Sequence, residues 1–364
     1  MKKILFVAHV ESHILHFHIP YLKMFHDLGW KVYVATNGNS KIPYADVTIN
    51  LPFQKSPWDK RNFKAYKILK NILNEETFDI IHCHTPVGGA VARLANRFSN
   101  NYSFTKLLYT AHGFHFYKGA PKLYWIIFYS IEKKLAKYTD TLITMNSEDY
   151  NNAQKFTLKK NGKVYKVHGV GVDKNRFYKK DINKDKRTEL GLKKSDFVMI
   201  YPAELSNRKN QKMLLDVMVE LLKVNKNFKL LLPGKDLLDN KILKLIEEKK
   251  LQNYVYILGY RKDIDELLAI SDIAISASKQ EGLPINIVEA LFSNTPVIAS
   301  NCRGNSELVD ENYLYEIDDV DGLVNLIFAY LHNKDNYKYI TDLEKFSLDN
   351  VMEEMKEIYD LYIS

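Results

Sequence analysis

The amino-acid sequence predicts an α/β protein with two doubly wound halves, each built on a parallel sheet. With 364 residues, the chain exceeds the ~250–300 residues at which a single hydrophobic core stops growing, so two domains are expected. In both halves, short continuous apolar runs alternate with stretches of helical periodicity. Such runs are typical of strands buried on both faces of a parallel sheet, and their alternation with helices predicts repeated β–α–β units.

The first half begins with a strand, a loop and a helix. The apolar run is residues 4–8, the predicted loop is residues 9–16, and the predicted helix is residues 17–28, ending at Gly29. No G-x-G-x-x-G pattern stands in this first turn, which argues against a nicotinamide-dependent dehydrogenase. The other strands predicted here are residues 31–35, 79–82, 106–110, 141–144 and 163–168, and the other helices are residues 58–73, 87–98 and 122–138.

An interdomain hinge is predicted at residues 169–180, GVGVDKNRFYKK, because this segment has two glycines and neither a helical nor an alternating period. A second alternating set follows it, which indicates a second domain. Its predicted strands are residues 197–202, 228–233, 254–258, 273–276 and 296–300, and its last helices are residues 323–331 and 343–363.

Charge is distributed unevenly along the chain. The first 175 residues carry 25 Lys and Arg against 12 Asp and Glu, whereas the remainder carries 27 against 32. A basic half attracts anionic surfaces, and a phospholipid surface is favoured over nucleic acid because no zinc-finger spacing or RNP motif is present. No apolar run reaches the ~18 residues of a membrane span, and two distant cysteines are consistent with a reducing compartment. The sequence thus predicts a cytoplasmic protein, peripherally associated with the inner face of the cell membrane.

The most informative stretch is residues 276–309, in which two carboxylates flank one predicted helix start. Glu281 precedes Gly282, Leu283 and Pro284, and Glu289 follows about one turn inside the helix. An ionised carboxylate accepts hydrogen bonds, so it suits the vicinal hydroxyls of a sugar or a ribose. The alternative is an acid-rich first turn that complements the helix dipole.

A second helix start follows at residues 303–306. Asn305 or Ser306 is expected to cap this helix, and Gly304 would allow close approach to its backbone N–H groups. Free N–H groups at such an end are suited to a phosphate. An acid pair followed by a phosphate cradle favours a nucleotide-sugar site over the dipole alternative.

The whole stretch resembles the signature of the family 4 retaining glycosyltransferases of GT-B fold, whose E-x7-E pair is Glu281 and Glu289 here. The resemblance implies two Rossmann-like domains with a cleft between them: an acceptor-side domain at residues 1–172 and a donor domain at residues 173–345. It also implies that a last helix, residues 346–364, crosses back to the first domain. In this family Glu281 would position the donor sugar as a catalytic residue, and Glu289 would hold the ribose.

The same resemblance extends to two further donor loops. The family has an arginine and a lysine that hold the donor diphosphate; the lysine corresponds to Lys209, but Glu204 replaces the arginine, so that Arg208 is a substitute candidate. The loop with Arg261 resembles the one that holds the nucleobase. The donor-binding residues implied are therefore Arg208, Lys209, Arg261, Gly282, Leu283, Pro284, Gly304, Asn305, Ser306 and Glu289.

Three places in the sequence have a residue spacing that could hold a metal ion, but no metal is expected at any of them. Asp263 and Asp265 form a D-x-D string, but Asp263 is well placed to cap a helix at residues 264–270, and this family needs no metal. His82 and His84 alternate onto one face of a strand end, and His112 and His115 have helical spacing. Structural zinc usually recruits cysteine as well, and Cys83 points to the opposite face. The expectation is no cofactor and no metal.

Histidines of the first half carry the remaining resemblance. Residues 112–116, HGFHF, fit a variant found among capsule and exopolysaccharide transferases, in which His112 would contact the donor sugar near the reacting carbon as a catalytic residue. The residues expected on the acceptor side are Glu11, Ser12, His13, His16 and His115. The predicted helix at residues 121–138 mixes aromatic residues with lysines, a pattern that suits an interfacial helix and an ordinary packing helix equally.

Together these observations predict a retaining glycosyltransferase of hexosyl or N-acetylhexosaminyl type. Its donor would be a nucleotide-diphosphate sugar, most simply a UDP-sugar, and its acceptor a hydroxyl of a lipid-linked glycan in capsule or exopolysaccharide synthesis. Two alternatives stay open. One is a nucleotide-sugar epimerase of the same fold, and the other is a non-catalytic glycan-binding scaffold, which the Glu204 replacement would favour.

Overall fold

The computed structural model describes residues 1–178, 184–339 and 342–363. The chain forms two compact units, residues 1–170 together with 351–364, and residues 171–350. They are called the first and the second unit below. The last two residues of the predicted hinge, 179 and 180, lie outside the described residues.

The first unit contains a sheet whose described strands are all parallel, in the order β3-β2-β1-β4-β5-β6-β7. Its elements are β1 (Lys3–Val7), α1 (Glu11–Phe17), α2 (Ile19–Asp27), β2 (Lys31–Thr36), β3 (Val47–Asn50), α3 (Lys60–Glu75), β4 (Ile80–His84), α4 (Pro86–Arg97), β5 (Lys106–Ala111), α5 (Lys122–Tyr124), α6 (Ser130–Ala136), β6 (Thr141–Thr144), α7 (Ser147–Ala153) and β7 (Lys163–Lys166). The predicted strands of this half are confirmed. Strand β3 was missed because it is a short edge strand with alternating burial rather than a continuous apolar run.

Two features of the first unit differ from the sequence prediction. Most of the predicted loop at residues 9–16 is part of helix α1. The helix buries the apolar side chain of its own Ile14, which stabilises it. The predicted helix at 122–138 is interrupted by a π-helical turn, Trp125–Tyr129, between α5 and α6. Such turns insert a residue into the helical ladder and change which side chains face the core.

The second unit has a parallel sheet in the order β10-β9-β8-β11-β12-β13. Its elements are α8 (Lys174–Phe177), α9 (Lys184–Glu189), β8 (Phe197–Ile200), α10 (Gln211–Val224), β9 (Phe228–Pro233), α11 (Lys241–Glu248), β10 (Val255–Gly259), α12 (Ile264–Ala269), β11 (Ile273–Ser276), α13 (Ile285–Phe292), β12 (Val297–Ser300), β13 (Leu314–Tyr315) and α14 (Val320–His332), and the last helix of the chain is α15 (Leu348–Ile363). Apolar clusters cover both faces of the sheet, as continuous apolar strands require.

The segment predicted as a hinge contains ordered structure. Helix α8 lies inside it, capped by the carboxylate of Asp173, and Phe177 is buried in the core of the second unit. Val172 pairs with Ser347 of the same unit. The absence of a helical period in the sequence is explained by the length of α8, which is a single turn.

The end of α15 is built into the first unit. Tyr359 is fully buried and shares a hydrogen bond with Nδ1 of His82. Tyr362 is joined to Thr141 by a hydrogen bond of 2.7 Å between hydroxyl groups. None of the helices in the described ranges combines the length and the apolar character needed to cross a membrane.

Candidate active site

Glu281 is the centre of a group of charges in the second unit. It lies in the loop after β11, and its neighbours Arg208 and Lys209 lie in the loop after the adjacent strand β8. The Nζ of Lys209 is 2.6 Å from Oε1 of Glu281, and Arg208 donates to Oε2 over 3.0 Å. The hydroxyl of Ser278 donates to the same carboxylate. The structure therefore brings together three of the predicted site residues at the carboxyl ends of neighbouring strands.

These partners keep Glu281 charged although its side chain is buried. Burial alone would raise the pKa of this carboxyl, but the positive charges of Lys209 and Arg208 and the hydrogen bonds from Lys209 and Ser278 outweigh it, so the pKa is lowered. Lys209 is nearly as buried as Glu281, whereas Arg208 is substantially exposed. The Lys209 pair is therefore held in a low dielectric, where it is screened little by solvent.

Glu204 stands where the family resemblance implies an arginine, and it contacts Arg208, the residue considered as a substitute for that arginine. Its Oε1 lies 3.4 Å from a guanidinium nitrogen of Arg208, one turn further along the chain. Arg208 thus lies between two carboxylates, and its guanidinium is raised in pKa chiefly by the charge of Glu281 against the opposing effect of burial. With Glu204 in place of an arginine, the loop has one cation fewer, but the Glu204 carboxylate orients the guanidinium of Arg208.

The two predicted donor loops pack directly against each other. A Cβ atom at Gly304 would lie 2.5 Å from the carbonyl oxygen of Gly282, and Gly304 has a φ of 85°. Arg303 donates to the carbonyl oxygen of Glu281 over 2.9 Å. Only glycine fits at position 304 on both counts. Leu283 and Pro284 continue this loop, and Pro284 occupies the N-cap of α13, one position before the first helical residue.

The predicted cap at the second helix start is wrong. Residues Asn305–Glu307 form a single 3₁₀ turn whose N-cap position is Gly304, without a side-chain cap. The amide of Asn305 turns inward and donates to the carbonyl and the hydroxyl of Ser300 over 3.0 and 3.1 Å. The backbone N–H of Ser306 donates to the carbonyl of Cys302. The Asn305 amide nitrogen thus donates to buried groups of Ser300, so the side chain does not turn to the exposed helix start.

Glu289 lies inside α13, as predicted, in quite different surroundings from Glu281. Burial raises the pKa of its carboxyl to about 7, with a smaller contribution from Asp265, while the charge of Arg176 acts in the opposite direction. Near neutral pH this group is therefore divided between the neutral and the ionised form. A carboxyl in this state can both donate to and accept from a diol.

Asp263 does not cap its helix, contrary to the prediction. It stands at the N-cap of α12 but makes no capping hydrogen bond. Its carboxylate instead takes a two-point contact from Arg261, at 2.8 and 2.5 Å, and contacts Lys186. The hydrogen bond with Arg261 is the main reason that the pKa of Asp263 is lowered. A forked guanidinium contact is stronger than a single bond from a neutral N–H.

In the first unit, His112 follows β5 and lies in a group of histidines. Its Nε2 is 3.1 Å from Nε2 of His13 and 3.4 Å from Nδ1 of His84. The ring of His18 stacks on that of His84 with centroids 3.8 Å apart. In the described part of the chain, these four are the histidines whose ring nitrogens converge within 4.8 Å. Burial lowers the pKa of each, so all four rings are neutral at pH 7.

The sequence singled out two histidine pairs, His82 with His84 and His112 with His115, and one member of each pair belongs to this group. His84 and His112 join the group, whereas His82 is occupied by Tyr359 and Thr110 and His115 is packed 4.9 Å from the ring of Phe128. His18 belongs to no sequence motif and falls inside the helix predicted at residues 17–28, whereas the structure places it between α1 and α2.

The other acceptor-side candidates lie on α1. The carboxylate of Glu11 accepts hydrogen bonds from the N–H and the hydroxyl of Ser40, at 2.9 and 2.8 Å, and thereby fixes the loop after β2. His16 donates from Nδ1 to the carbonyl of Ser12. His13 is thus the member of this set that reaches the histidine group, while Glu11, Ser12 and His16 shape its surroundings.

A cavity of about 820 Å³ opens in the first unit beside these elements. Its wall is mainly apolar and aromatic, and His9 and His115 stand in it together with Lys55 and Lys60. Other lining residues are Trp58, Phe63, Val91, Leu94, Phe98 and Phe128. Trp58 and Phe63 are exposed by 73% and 60%, so the apolar lining continues to the surface.

Comparison with known families identifies both units. Residues 182–344 match the family described as glycosyl transferases group 1, and residues 3–147 match glycosyl transferase 4-like. A putative glycosyltransferase EpsD of Bacillus subtilis is 38% identical over 373 aligned positions, which cover 100% of this chain and 97% of that protein. The chain belongs to the group 1 glycosyltransferases.

One further relative and one solved structure are similar to the chain, and the solved structure bears on its fold. A UDP-Gal:alpha-D-GlcNAc-diphosphoundecaprenol alpha-1,3-galactosyltransferase of Escherichia coli is 26% identical, over 83% of this chain and 80% of that protein. The crystal structure of Anabaena Alr3699/HepE in complex with UDP and glucose superposes with a TM-score of 0.78 at 17% identity, covering 99% of this chain and 100% of the other. The glycosyltransferase therefore has the GT-B fold, as its sequence predicted.

Proposed function

We propose that this glycosyltransferase moves a hexosyl or N-acetylhexosaminyl group from a UDP-sugar to a hydroxyl of a lipid-linked glycan, with retention at the anomeric carbon, in capsule or exopolysaccharide synthesis. The observation that carries the proposal is the buried Glu281 carboxylate held by Lys209 and Arg208. This arrangement places two cations beside an acceptor for sugar hydroxyls. The complex of HepE with UDP and glucose supports the donor class.

The charges of this group suit a diphosphate leaving group. As the bond between the anomeric carbon and the diphosphate breaks, negative charge develops on the phosphate oxygen, and fixed cations nearby stabilise it without a metal ion. Lys209 and Arg208 would exchange part of their contact with Glu281 for the diphosphate. Glu281 would then accept hydrogen bonds from the donor sugar, and Glu289 from the ribose.

Retention follows from a front-face displacement. The acceptor oxygen forms its bond to the anomeric carbon on the face from which the diphosphate departs, and the acceptor proton passes to the departing phosphate oxygen. This route requires no covalent nucleophile from the protein. His112, neutral at pH 7, would orient a hydroxyl of the sugar near the reacting carbon through one ring nitrogen.

The cavity of the first unit supports a lipid-linked acceptor. Its volume is within the ~300–1,000 Å³ of small-molecule sites, and an apolar wall suits an isoprenoid chain. Lys55 and Lys60 in the same wall would meet the phosphates of a lipid diphosphate. The acceptor named for the Escherichia coli relative is a diphosphoundecaprenol glycan, which is the class of molecule that such a cavity fits.

The test is UDP release from a panel of UDP-sugars, measured with and without polyprenyl-diphosphate glycan acceptors. Release that depends strictly on the acceptor, with an unchanged anomeric configuration in the product, is the expected result. Donor conversion without acceptor would indicate the epimerase instead. Nucleotide-sugar binding without turnover over the whole panel would indicate the glycan-binding scaffold. Full activity in EDTA is expected, and loss that Mn²⁺ restores would overturn the metal-free route.

Membrane association has its own test. Lys133, Lys134 and Lys137 are exposed around α6, and each basic residue near an anionic bilayer contributes ~1 kcal/mol that salt screens. Sedimentation with phosphatidylglycerol liposomes should be strong at low salt, weak at high salt, and reduced when all three become Glu. A matched triple variant in the second unit, Lys226, Lys241 and Lys244 to Glu, should still bind. Equal binding by both variants would contradict a membrane face on the first unit.

A further inference from the structure

The histidine group of the first unit has the composition and spacing of a metal site. It is formed by His13 on α1, His18 between α1 and α2, His84 at the end of β4 and His112 after β5. One nitrogen of each ring lies within 4.8 Å of one nitrogen of every other ring. Imidazole is the commonest protein ligand for zinc, copper and nickel. The fold, rather than a contiguous sequence motif, assembles this set.

The distances between the nitrogens agree with tetrahedral coordination. Four nitrogens held ~2.0–2.1 Å from a zinc ion are roughly 3.3–3.4 Å apart. Two separations in the group are close to that value: Nε2 of His112 is 3.1 Å from Nε2 of His13, slightly below it, and 3.4 Å from Nδ1 of His84, at its upper end. The ring of His18 stacks on that of His84 with centroids 3.8 Å apart, and one of its nitrogens lies within 4.8 Å of a nitrogen of each of the other three rings.

The hydrogen bonding of the group is incomplete, which is the independent observation. Among the described residues, both ring nitrogens of His18 and Nε2 of His84 are buried without a hydrogen-bond partner. The two side chains are 2% and 1% exposed. A buried polar atom without a partner costs ~1–3 kcal/mol. A cation that accepts the lone pair of one His18 nitrogen would remove part of that cost, whereas the His84 nitrogen that lies near His112 is Nδ1 and not the unpartnered Nε2.

We propose that His13, His18, His84 and His112 bind one transition-metal cation of the zinc class. The site is distinct from the diphosphate contacts of Lys209 and Arg208, which belong to the second unit. Binding of the metal would occupy the ring nitrogens of His13 and His112. If His112 orients the donor sugar as proposed above, the metal would slow glycosyl transfer, so that the site would act as an inhibitory one. That last step rests on the proposed function; the binding itself does not.

The direct test uses the untagged full-length protein and Co²⁺ alone. We expect one Co²⁺ per chain, with the intense visible absorption of four-coordinate cobalt, which Zn²⁺ should abolish by displacement. Weak bands of six-coordinate cobalt, or binding without a defined stoichiometry, would overturn the proposal. The wild-type chain decides this outcome even if the variants described next do not fold.

Ligand variants locate the metal. His18→Phe and His84→Phe retain a stacked ring but remove the ligating nitrogens, and each should weaken Co²⁺ binding at least ~10-fold. His26→Ala is the matched control, since His26 is an exposed histidine of the same unit and should bind as wild type does. Unchanged affinity in both Phe variants would assign the metal to another place.

The inhibitory role is measured separately. In a transfer assay, micromolar Zn²⁺ should slow the wild-type enzyme, EDTA should restore it, and His18→Phe should resist the inhibition. Zinc binding without inhibition would support the metal site but contradict the proposed contact between His112 and the donor sugar. Inhibition that His18→Phe shares with the wild type would place the inhibitory metal outside the four histidines.

Discussion

The two groups of polar side chains in this glycosyltransferase are satisfied in opposite ways. Around Glu281 in the second unit, Lys209, Arg208 and Ser278 all contact one buried carboxylate. Around His112 in the first unit, the partners are other neutral histidines. Within the described ranges of the chain, several of those ring nitrogens remain buried without a partner. The first group is therefore a buried carboxylate whose charge is balanced by cations. The second is a group of neutral imidazole rings, some of whose nitrogens make no hydrogen bond among the described residues.

This difference shows what each group is prepared to bind. A carboxylate that already holds two cations can release them towards a developing negative charge with little reorganisation. Neutral imidazoles cannot compensate a diphosphate, but they are the form that binds metal ions. The sites are thus suited to an anionic leaving group in one unit and to a neutral hydroxyl or a cation in the other.

The largest expected effect is on turnover, from Glu281→Gln. The amide keeps the shape but loses the charge that holds Lys209 and one of the two acceptor oxygens proposed to position the sugar. We expect kcat to fall roughly 100-fold, as for the loss of one preorganised electrostatic group, with a smaller change in the KM for the donor. Steady-state kinetics checks this, with Glu220→Gln on the exposed face of α10 as control. A kcat within twofold of wild type would exclude a catalytic role for Glu281.

Stability provides the next contrast between the two groups. Lys209→Met leaves the buried Glu281 with Arg208 as its remaining cation in the group, and we expect a loss of ~3 kcal/mol, since breaking a buried pair strands a charge. His18→Phe removes buried nitrogens that lack partners within the described residues, and we expect a gain of ~1 kcal/mol in metal-free buffer. Urea unfolding measures both. Destabilisation of equal size in the two variants would remove the distinction drawn between the groups.

Glu289 lies in the second unit, as Glu281 does, but among the described residues its carboxyl has no close cation comparable to Lys209. The charge of Arg176 only partly opposes the effect of burial on its pKa. Its pKa of about 7, against an ordinary 4.5, means that the unfolded chain ionises first as pH rises. This residue therefore destabilises the fold progressively between pH 4.5 and 7, and fully above 7, by roughly 3 kcal/mol. Glu289→Gln should match wild type at pH 4 and exceed it in melting temperature at pH 8. A constant difference across this range would show that Glu289 ionises normally.

The smallest of these effects concerns donor binding. Glu289→Ala would remove the proposed partner of the ribose hydroxyls, and we expect a cost near the lower end of the ~1–3 kcal/mol for a lost hydrogen-bond partner, or roughly 10-fold in affinity for UDP-sugar. Calorimetric titration with UDP checks this, because UDP carries the ribose but not the sugar. Glu281→Gln should bind UDP nearly as wild type does. Reversed behaviour of the two variants would exchange the roles assigned to the two carboxylates.

The placement of Glu281 and Glu289 around one helix start could be predicted from the sequence, whereas the histidine group could not. Glu281 and Glu289 stand in one motif with a helix start between them, so local spacing determines their neighbourhood. The histidine group joins residues up to 99 positions apart, brought together by the ends of β4 and β5 and by α1, which no local period reveals. His112 and His115 were paired by helical spacing, but the segment that holds them is not helical. The caps expected of Asp263 and Asn305 do not form because each side chain bonds to another nearby residue, Arg261 and Ser300 respectively.

The discontinuous first unit has a consequence for the order in which the chain acquires its structure. Residues 351–364 belong to this unit, and Tyr359 completes its interior by contacting Phe25 and His82. During synthesis these residues emerge after the whole second unit, so the first unit can finish folding only once residues 351–363 have left the ribosome, although domains generally fold from the amino terminus onward. The second unit is continuous and is complete in the nascent chain earlier. The unit made first is thus the one that matures last, and a ribosome-bound chain halted before Val351 would expose its unfilled core to chaperones.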